Sequence, residues 1–369
     1  MQWIWQHKKW PNFEYDLSLF LQYDKEFYKN AGNVIGVLSH LPSENVQLLQ
    51  IEILTQEAIS TSSIEGEILQ RASVQSSIRK HLGLKTEKIK IPANEAGIAE
   101  MMSNVYTDFD KPLSHATLFL WHKMLMNGRR DIEHIGNYRM HTDPMQIVSG
   151  NLSAPKLFYE APPSSDVITQ MEIFVEWYNN QILNDELPIV VAAGIAHLYF
   201  EIIHPFEDGN GRIGRALIEK MISQKMKTPA LNSFAKIIEA NKKEYYNALQ
   251  SCNNNLNISE WLIFFSKMLL QSQKYTISMV DFIIFKSKFL LKYENVINSR
   301  QTKVLLRIFE EGMEGFKGGL SAANYKTITS ASAATATRDL QELVAFKVLD
   351  KKGELKYSRY YLNFKDYKS

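Results

Sequence analysis

The sequence has one cysteine, Cys252, so no disulfide can form within the chain and burial and hydrogen bonding must hold the fold. Cys252 lacks any catalytic context and reads as a small buried apolar residue. There is no apolar run approaching the ~18 residues that cross a bilayer. The N-terminus "MQWIWQHKKW" lacks the apolar stretch of a secretory signal. A cytoplasmic chain with no membrane partner is therefore expected. Charge imbalance is missing too: the formal net charge is +2 over 369 residues, which offers no global argument for nucleic acid or lipid. Internal repeats and low-complexity tracts are absent. What remains is an ordinary globular composition, 45% hydrophobic and 22% charged, with length enough for two or three domains.

Hydrophobic periodicity reads as mainly helical. "WIWQHKKWPNFEYD" carries Trp3, Trp5 and Trp10, three of the six tryptophans, a cluster suited to anchoring a terminal segment. Residues 45–82 form a long helical pattern interrupted by "STSSIEGE", whose Ser/Thr run and glycine are poor helix formers, so a break into two helices is expected there. Two more helices follow over 94–130, with Ser114 as an N-cap. Turn residues and short β-rich runs then predict a hairpin between Gln146 and Tyr159. Helices resume after Pro162–Pro163 and continue to about residue 300. From 301 the pattern is helix, helix-turn-helix, then a two-stranded wing around Lys352–Gly353, as in a winged helix. Residues 300–369 hold 13 Lys and Arg against 8 Asp and Glu, an excess of five. This leans toward DNA, with protein contact or dimerisation as the other reading, since Arg338 is the only strong base reader in the second helix.

The densest chemistry lies in "HPFEDGNGRIGR", residues 204–215. An apolar helix leads in, and Pro205 ends it. Gly209 and Gly211 flank Asn210, so the backbone can turn sharply and approach a ligand closely. A glycine-rich loop opening onto a helix N-terminus offers free N–H groups and a positive dipole end to an anion. Arg212 and Arg215 can project on one side of the first turn and suit bidentate contacts with phosphate oxygens. Asp208 suits a divalent cation such as Mg²⁺, and His204 titrates near neutrality and suits a general base. No Gly-Lys-Ser/Thr follows the glycines, which excludes a P-loop. Each piece alone is commonplace; their joint occurrence points to phosphate chemistry.

These residues resemble the signature of the Fic family, His-x-Phe-x-(Asp/Glu)-Gly-Asn-Gly-Arg-x-x-Arg, at every defined position. The resemblance implies an all-helical core that transfers AMP from ATP to a Ser, Thr or Tyr hydroxyl of a target protein. It implies His204 as the base, Phe206 as an inward anchor, and Asp208 as the ligand of Mg²⁺. Asp208, Gly209, Asn210, Gly211, Arg212, Gly214 and Arg215 would surround the phosphates. "GNYR" at 136–139 and "YEAPP" at 159–163 resemble the family's flap, with Phe158 and Tyr159 on the strand that clamps a target segment through its main chain. "YYNALQSCN" resembles the nucleoside wall, implying Tyr245, Tyr246 and Asn253 beside adenine and ribose. The N-terminal "WIWQHKKWPNFEYD" is similar to a domain of unclear role often found ahead of bacterial Fic cores. Thr61 to Gly66 resembles the inhibitory motif Ser/Thr-x-x-x-Glu-Gly/Asn, which implies Glu65 pairing with Arg215 and a self-inhibited chain.

The expected organisation is residues 1–85 as an N-terminal helical domain with the inhibitory helix, 86–300 as the catalytic core with its β-hairpin flap, and 301–369 as a winged helix. ATP, a target protein, self-modification, DNA and a second copy of the chain are the partners this implies. A DNA-binding regulator using the core as a nucleotide sensor, and a Fic-fold enzyme that removes AMP, are the alternatives.

Overall fold

A helix with no polar face must be wrapped on all sides, and Ile189–Ile203 is such a helix: every residue in it except Glu201 is buried. The computed structural model describes all residues except 1, 87–88, 150–155, 185, 314, 317 and 364–369. In chain order the described helices begin with α1 (Leu21–Leu38), α2 (Ser43–Ile64), α3 (Arg71–His81), α4 (Ala93–Thr107) and α5 (His115–Leu125). The strands β1 (Gln146–Ser149) and β2 (Lys156–Glu160) come next. They are followed by α6 (Ser164–Asn184), α7 (Ile189–Ile203), α8 (Asn210–Met226), α9 (Phe234–Ala240), α10 (Lys242–Ser251) and α11 (Ser259–Tyr293). The chain continues through α12 (Ser299–Glu310), α13 (Ala322–Thr329) and α14 (Ala333–Ala345) to β3 (Leu349–Lys352) and β4 (Arg359–Leu362). No described helix is long and apolar enough to cross a membrane.

The chain divides into two compact units, one of residues 1–41 and 50–277, the other of 42–49 and 278–369. In the first, α7 is the axis, with α8 and α6 packed along it. The tryptophan cluster anchors the N-terminal segment to this unit. Trp3 meets Tyr159 edge-on at 5.4 Å and Trp10 meets Tyr199 at 5.1 Å. The Trp5 indole donates to the Glu160 carbonyl at 2.8 Å.

The Ser/Thr run proves helical. α2 continues to Ile64, and the break comes at Gly66, whose φ of +86° favours glycine. Tertiary partners override the weak propensity: Ser60 donates to Glu239 at 2.8 Å, and Thr61 accepts from Arg215 at 2.7 Å. Ser114 caps α5 as expected, accepting from the Thr117 N–H. β1 and β2 pair antiparallel from Gln146↔Glu160 to Ser149↔Lys156, with a register shift between Ile147 and Val148. The tip of this hairpin lies outside the described residues.

The second unit has its own buried knot. The Asp339 carboxylate receives both arms of the Arg300 guanidinium at 2.8 and 3.0 Å and the Tyr325 hydroxyl at 2.9 Å, joining α12, α13 and α14. β3 and β4 form an antiparallel pair. Their connection is longer than a tight turn at Lys352–Gly353, because a short 3₁₀ turn, Leu355–Tyr357, intervenes.

Gly97 on α4 sets the approach of α4 to α5: a Cβ there would run into the Met124 carbonyl. Gly97→Ala should therefore lower stability by about 1–3 kcal/mol. Gly32→Ala, in open space on α1, should be neutral or stabilising by up to about 1 kcal/mol. Thermal melts of both variants check this pair of outcomes.

Candidate active site

Three segments of distant sequence meet around the turn from α7 into α8: the end of α2, the stretch 129–139, and α10. The turn begins at His204, which sits in the left-handed region at φ 50°, ψ 59°. Non-glycine residues seldom adopt this conformation, and it costs about 1–3 kcal/mol unless the surroundings hold it. The hold comes from Arg139, buried to 1% exposure. Its Nε donates to the His204 carbonyl at 2.8 Å and its backbone N–H to the Pro205 carbonyl at 2.9 Å. The His204 Nδ1 lies 3.4 Å from the Glu201 carbonyl, which favours a proton on Nδ1 and leaves Nε2 to accept. Burial, and then the charge of Arg139, push the imidazole down to about 4, so it is neutral at physiological pH.

The loop after His204 is braced from within. The Phe206 ring stacks on His122 at 4.2 Å. The Asn210 side chain donates to the Phe206 carbonyl at 2.7 Å and accepts its N–H at 2.9 Å, so this amide closes the loop. Glu207 accepts the N–H groups of Glu133 and His134 at 3.0 and 3.1 Å. Asp208 accepts from the Gly209 N–H at 2.5 Å, Arg129 at 2.8 Å and Arg212 at 3.3 Å. Burial opposes its charge, but the arginines outweigh this and hold the carboxyl below its ordinary range. Among the described residues no group of three or more His, Cys, Asp or Glu is placed to hold a metal ion. A single ionised, part-exposed carboxylate fits a hard cation that takes most of its oxygens from phosphates and water.

At the N-terminus of α8 both arginines are paired with acids from the segment after α2. Arg215 donates from Nε to the Thr61 hydroxyl at 2.7 Å, and from Nη2 to the Thr61 carbonyl at 3.0 Å and to Glu65 at 2.6 Å. Burial works against the guanidinium charge, yet Glu65 and its neighbours keep the pKa above its ordinary value. Arg212 pairs with Glu67 at 3.2 Å. A Cβ on Gly211 would collide with the Glu65 carboxylate, so that carboxylate lies against the first turn of α8, at the positive end of its dipole. Glu67 escapes a motif reading, and Arg139, the last residue of the GNYR stretch, carries no expected role of its own. The alternation Glu65-Gly66-Glu67 is the one local hint of the former, and the latter's partners are carbonyls with no sequence signature.

A cavity of about 620 Å³ opens beside this arrangement, lined by Glu65, His204, Gly211, Arg215, Tyr246 and Asn253 among others. It falls within the range of small-molecule sites, about 300–1,000 Å³. The expected wall residues take different parts. Tyr246 is 42% exposed. Tyr245 is buried behind it, with its hydroxyl 2.7 Å from His197 Nε2. The Asn253 amide donates to the Phe158 carbonyl at 2.8 Å, tying the segment after α10 to the hairpin. Tyr159 is turned inward, its hydroxyl donating to the Ile202 carbonyl at 2.8 Å, while Ile147, Val148 and Leu157 are exposed. Gly214 is a packing position: a Cβ there would come within 2.5 Å of Glu201 Oε1 and 3.0 Å of His197 Nδ1.

This is a helical fold whose site sets a neutral imidazole beside an arginine-bearing helix N-terminus and a roomy cavity. Residues 112–222 match the Fic/DOC family, and residues 3–84 match a domain of unknown function, DUF4172. The chain therefore carries a Fic/DOC-family domain. It is 32% identical over 92 residues to a protein named "Probable protein adenylyltransferase" in Aquifex aeolicus, covering 25% of this chain and 26% of that one. It is 28% identical over 116 residues to "Protein adenylyltransferase Fic" of Drosophila grimshawi, covering 31% and 22%. These matches thus span about a quarter of the relatives' own length. Among solved structures, a Fic family protein from Desulfovibrio desulfuricans superposes with a TM-score of 0.54 at 18% identity, over 95% of this chain and 98% of that one. Fic-1 of C. elegans superposes with a TM-score of 0.50 at 20% identity, over 71% and 74%.

Glu201 lines the cavity, and burial pushes its carboxyl up to about 8 from an ordinary 4.5, despite Arg215 nearby. Between those values the native chain keeps a proton that the unfolded chain has released, so this group's contribution to stability is lost as pH rises from 4.5 to about 8. Glu201→Gln removes that dependence. The variant's melting temperature should gain on the parent's as pH rises across this window, and thermal melts at its two ends check it.

Proposed function

We propose that the chain is a protein adenylyltransferase that moves AMP from ATP to a hydroxyl side chain of a target protein, and that it rests in a self-inhibited state. The observation that carries this reading is the Glu65–Arg215 pair at 2.6 Å, set against the first turn of α8 and within the cavity that holds neutral His204. A carboxylate at a helix N-terminus, held by a buried arginine, stands where a phosphate group would be bound. Arg212, Arg215 and the N–H groups of Gly209 to Gly211 receive the triphosphate. Asn210 keeps their loop in shape. Asp208 would hold Mg²⁺, which supplies charge neutralisation to the phosphates. Tyr246, with Tyr245 behind it, faces the nucleoside.

His204 in its neutral form takes the proton of the incoming hydroxyl. The hydroxyl oxygen bonds to the α-phosphorus, and pyrophosphate leaves. The hairpin, with Ile147, Val148 and Leu157 exposed on it, receives an extended target segment by strand addition. With Glu65 on Arg215, the terminal phosphate loses its partner and the α-phosphate is misaligned for attack; misplacement by about 1 Å costs on the order of 10²-fold in rate.

Glu65→Gly should raise AMP transfer by roughly 10²-fold, self-modification included. His204→Ala in that background should lower it by about 10²–10⁴-fold. Incubation with ATP labelled in the α-phosphate, followed by mass spectrometry of the products, tests both. A Glu65→Gly chain that labels neither itself nor any added protein would sink the reading.

A further inference from the structure

A buried arginine ordinarily has an acid beside it. Arg139 has none: among the described residues its side chain donates only to carbonyl oxygens and one hydroxyl. Nε reaches the His204 carbonyl at 2.8 Å, Nη1 the Ser164 hydroxyl at 2.9 Å, and Nη2 the carbonyls of Pro162 at 2.6 Å and Ile203 at 3.3 Å. Its own N–H donates to Pro205. Three successive carbonyls, those of Ile203, His204 and Pro205, thus accept from one residue. Ile203 ends α7, so its unpaired carbonyl and the two that follow lie at the negative pole of the helix dipole, which explains how a cation is tolerated there without a carboxylate. Burial lowers its pKa to about 10, so it stays charged at neutral pH. The grip extends to the hairpin: Pro162 follows β2, and Tyr159 of β2 donates to the next carbonyl back, Ile202.

The geometry points to Arg139 as a positioning residue for the transfer: its planar fork locks the main chain of His204 in the left-handed conformation that aims the imidazole into the cavity, and ties that aim to the end of the flap strand. The inference rests on the proposed transfer for its kinetic readout. It needs the fork as well as the charge, because an ammonium cannot bond two successive carbonyls and a third from the hairpin in one plane.

In a Glu65→Gly background, Arg139→Lys keeps the charge and loses the fork. Its kcat for AMP transfer should fall by about 10–10²-fold, while KM for ATP stays within about twofold, since the phosphates sit on α8. If Arg139→Lys does not fold, Ser164→Ala, which frees one arm of the fork, should give a smaller loss in kcat alone. A second readout needs no activity. The charges that act on the His204 imidazole are Arg139, which lowers its pKa, and Glu65 and Asp208, which raise it, beside the Glu201 carbonyl. Replacing Arg139 by Met removes the one cation among them, so the imidazole's titration midpoint, followed by NMR of ¹⁵N-histidine-labelled protein, should rise. A purely structural role would instead lower melting temperature and ATP affinity together, with no selective loss in kcat. Parent-level kcat in Arg139→Lys, or in Ser164→Ala where that variant stands in, overturns the inference, as does an unmoved midpoint in Arg139→Met. Should the Glu65→Gly parent transfer no AMP at all, the functional reading fails by itself, and the NMR titration in the unmodified chain decides the role of Arg139.

Discussion

The Arg215 guanidinium is 2% exposed and, unlike Arg139, has no cluster of main-chain carbonyls at a helix C-terminus to hold its charge, so it needs an anion. That requirement organises the first unit. α8 presents the arginine, α2 supplies Thr61 to orient it, and the turn after α2 supplies Glu65 to neutralise it. Any ligand that reaches Arg215 must therefore displace or share an existing partner. The binding energy of such a ligand is reduced by the stability of the pair it replaces.

The same turn carries a second tie of this kind. Glu67 pairs with Arg212, and Arg212 in turn shares Asp208 with Arg129. Lys242, on the helix that holds Tyr246, donates to the Ile64 carbonyl at the last turn of α2. The end of α2 is thus bonded both to the arginines of α8 and to α10. A change at either side is felt at Glu65 without any need for a long-range pathway.

Much of this is legible in the sequence, for a physical reason. The arginines, the glycines and His204 are contiguous, so spacing alone places them on one loop and the first turn of one helix. Glu65, 150 residues away, is legible only through its resemblance to a known motif. The roles of Arg139, at the end of the GNYR stretch, and of Glu201 are not legible in this way, because what makes them important is their partners: main-chain carbonyls, a depth of burial, a Gly214 that leaves room. The break expected within residues 60–67 comes at their end, at Gly66, while Ser60 to Ser63 stay helical, since local propensity is worth tenths of a kcal/mol per residue and side-chain bonds to Arg215 and Glu239 outweigh it. Asn210 reads as a phosphate ligand, yet its amide is turned back onto Phe206.

The indole of Trp5 bonded to Glu160, and the ring of Trp3 against Tyr159, give the N-terminal segment a mechanical role. The return strand of the hairpin is stapled by a residue that precedes its partner by 155 positions. Proteolytic trimming or a bulky fusion at that segment would slacken the hairpin and leave the first turn of α8 untouched, so in the proposed transferase nucleotide occupancy and substrate capture would be separable properties.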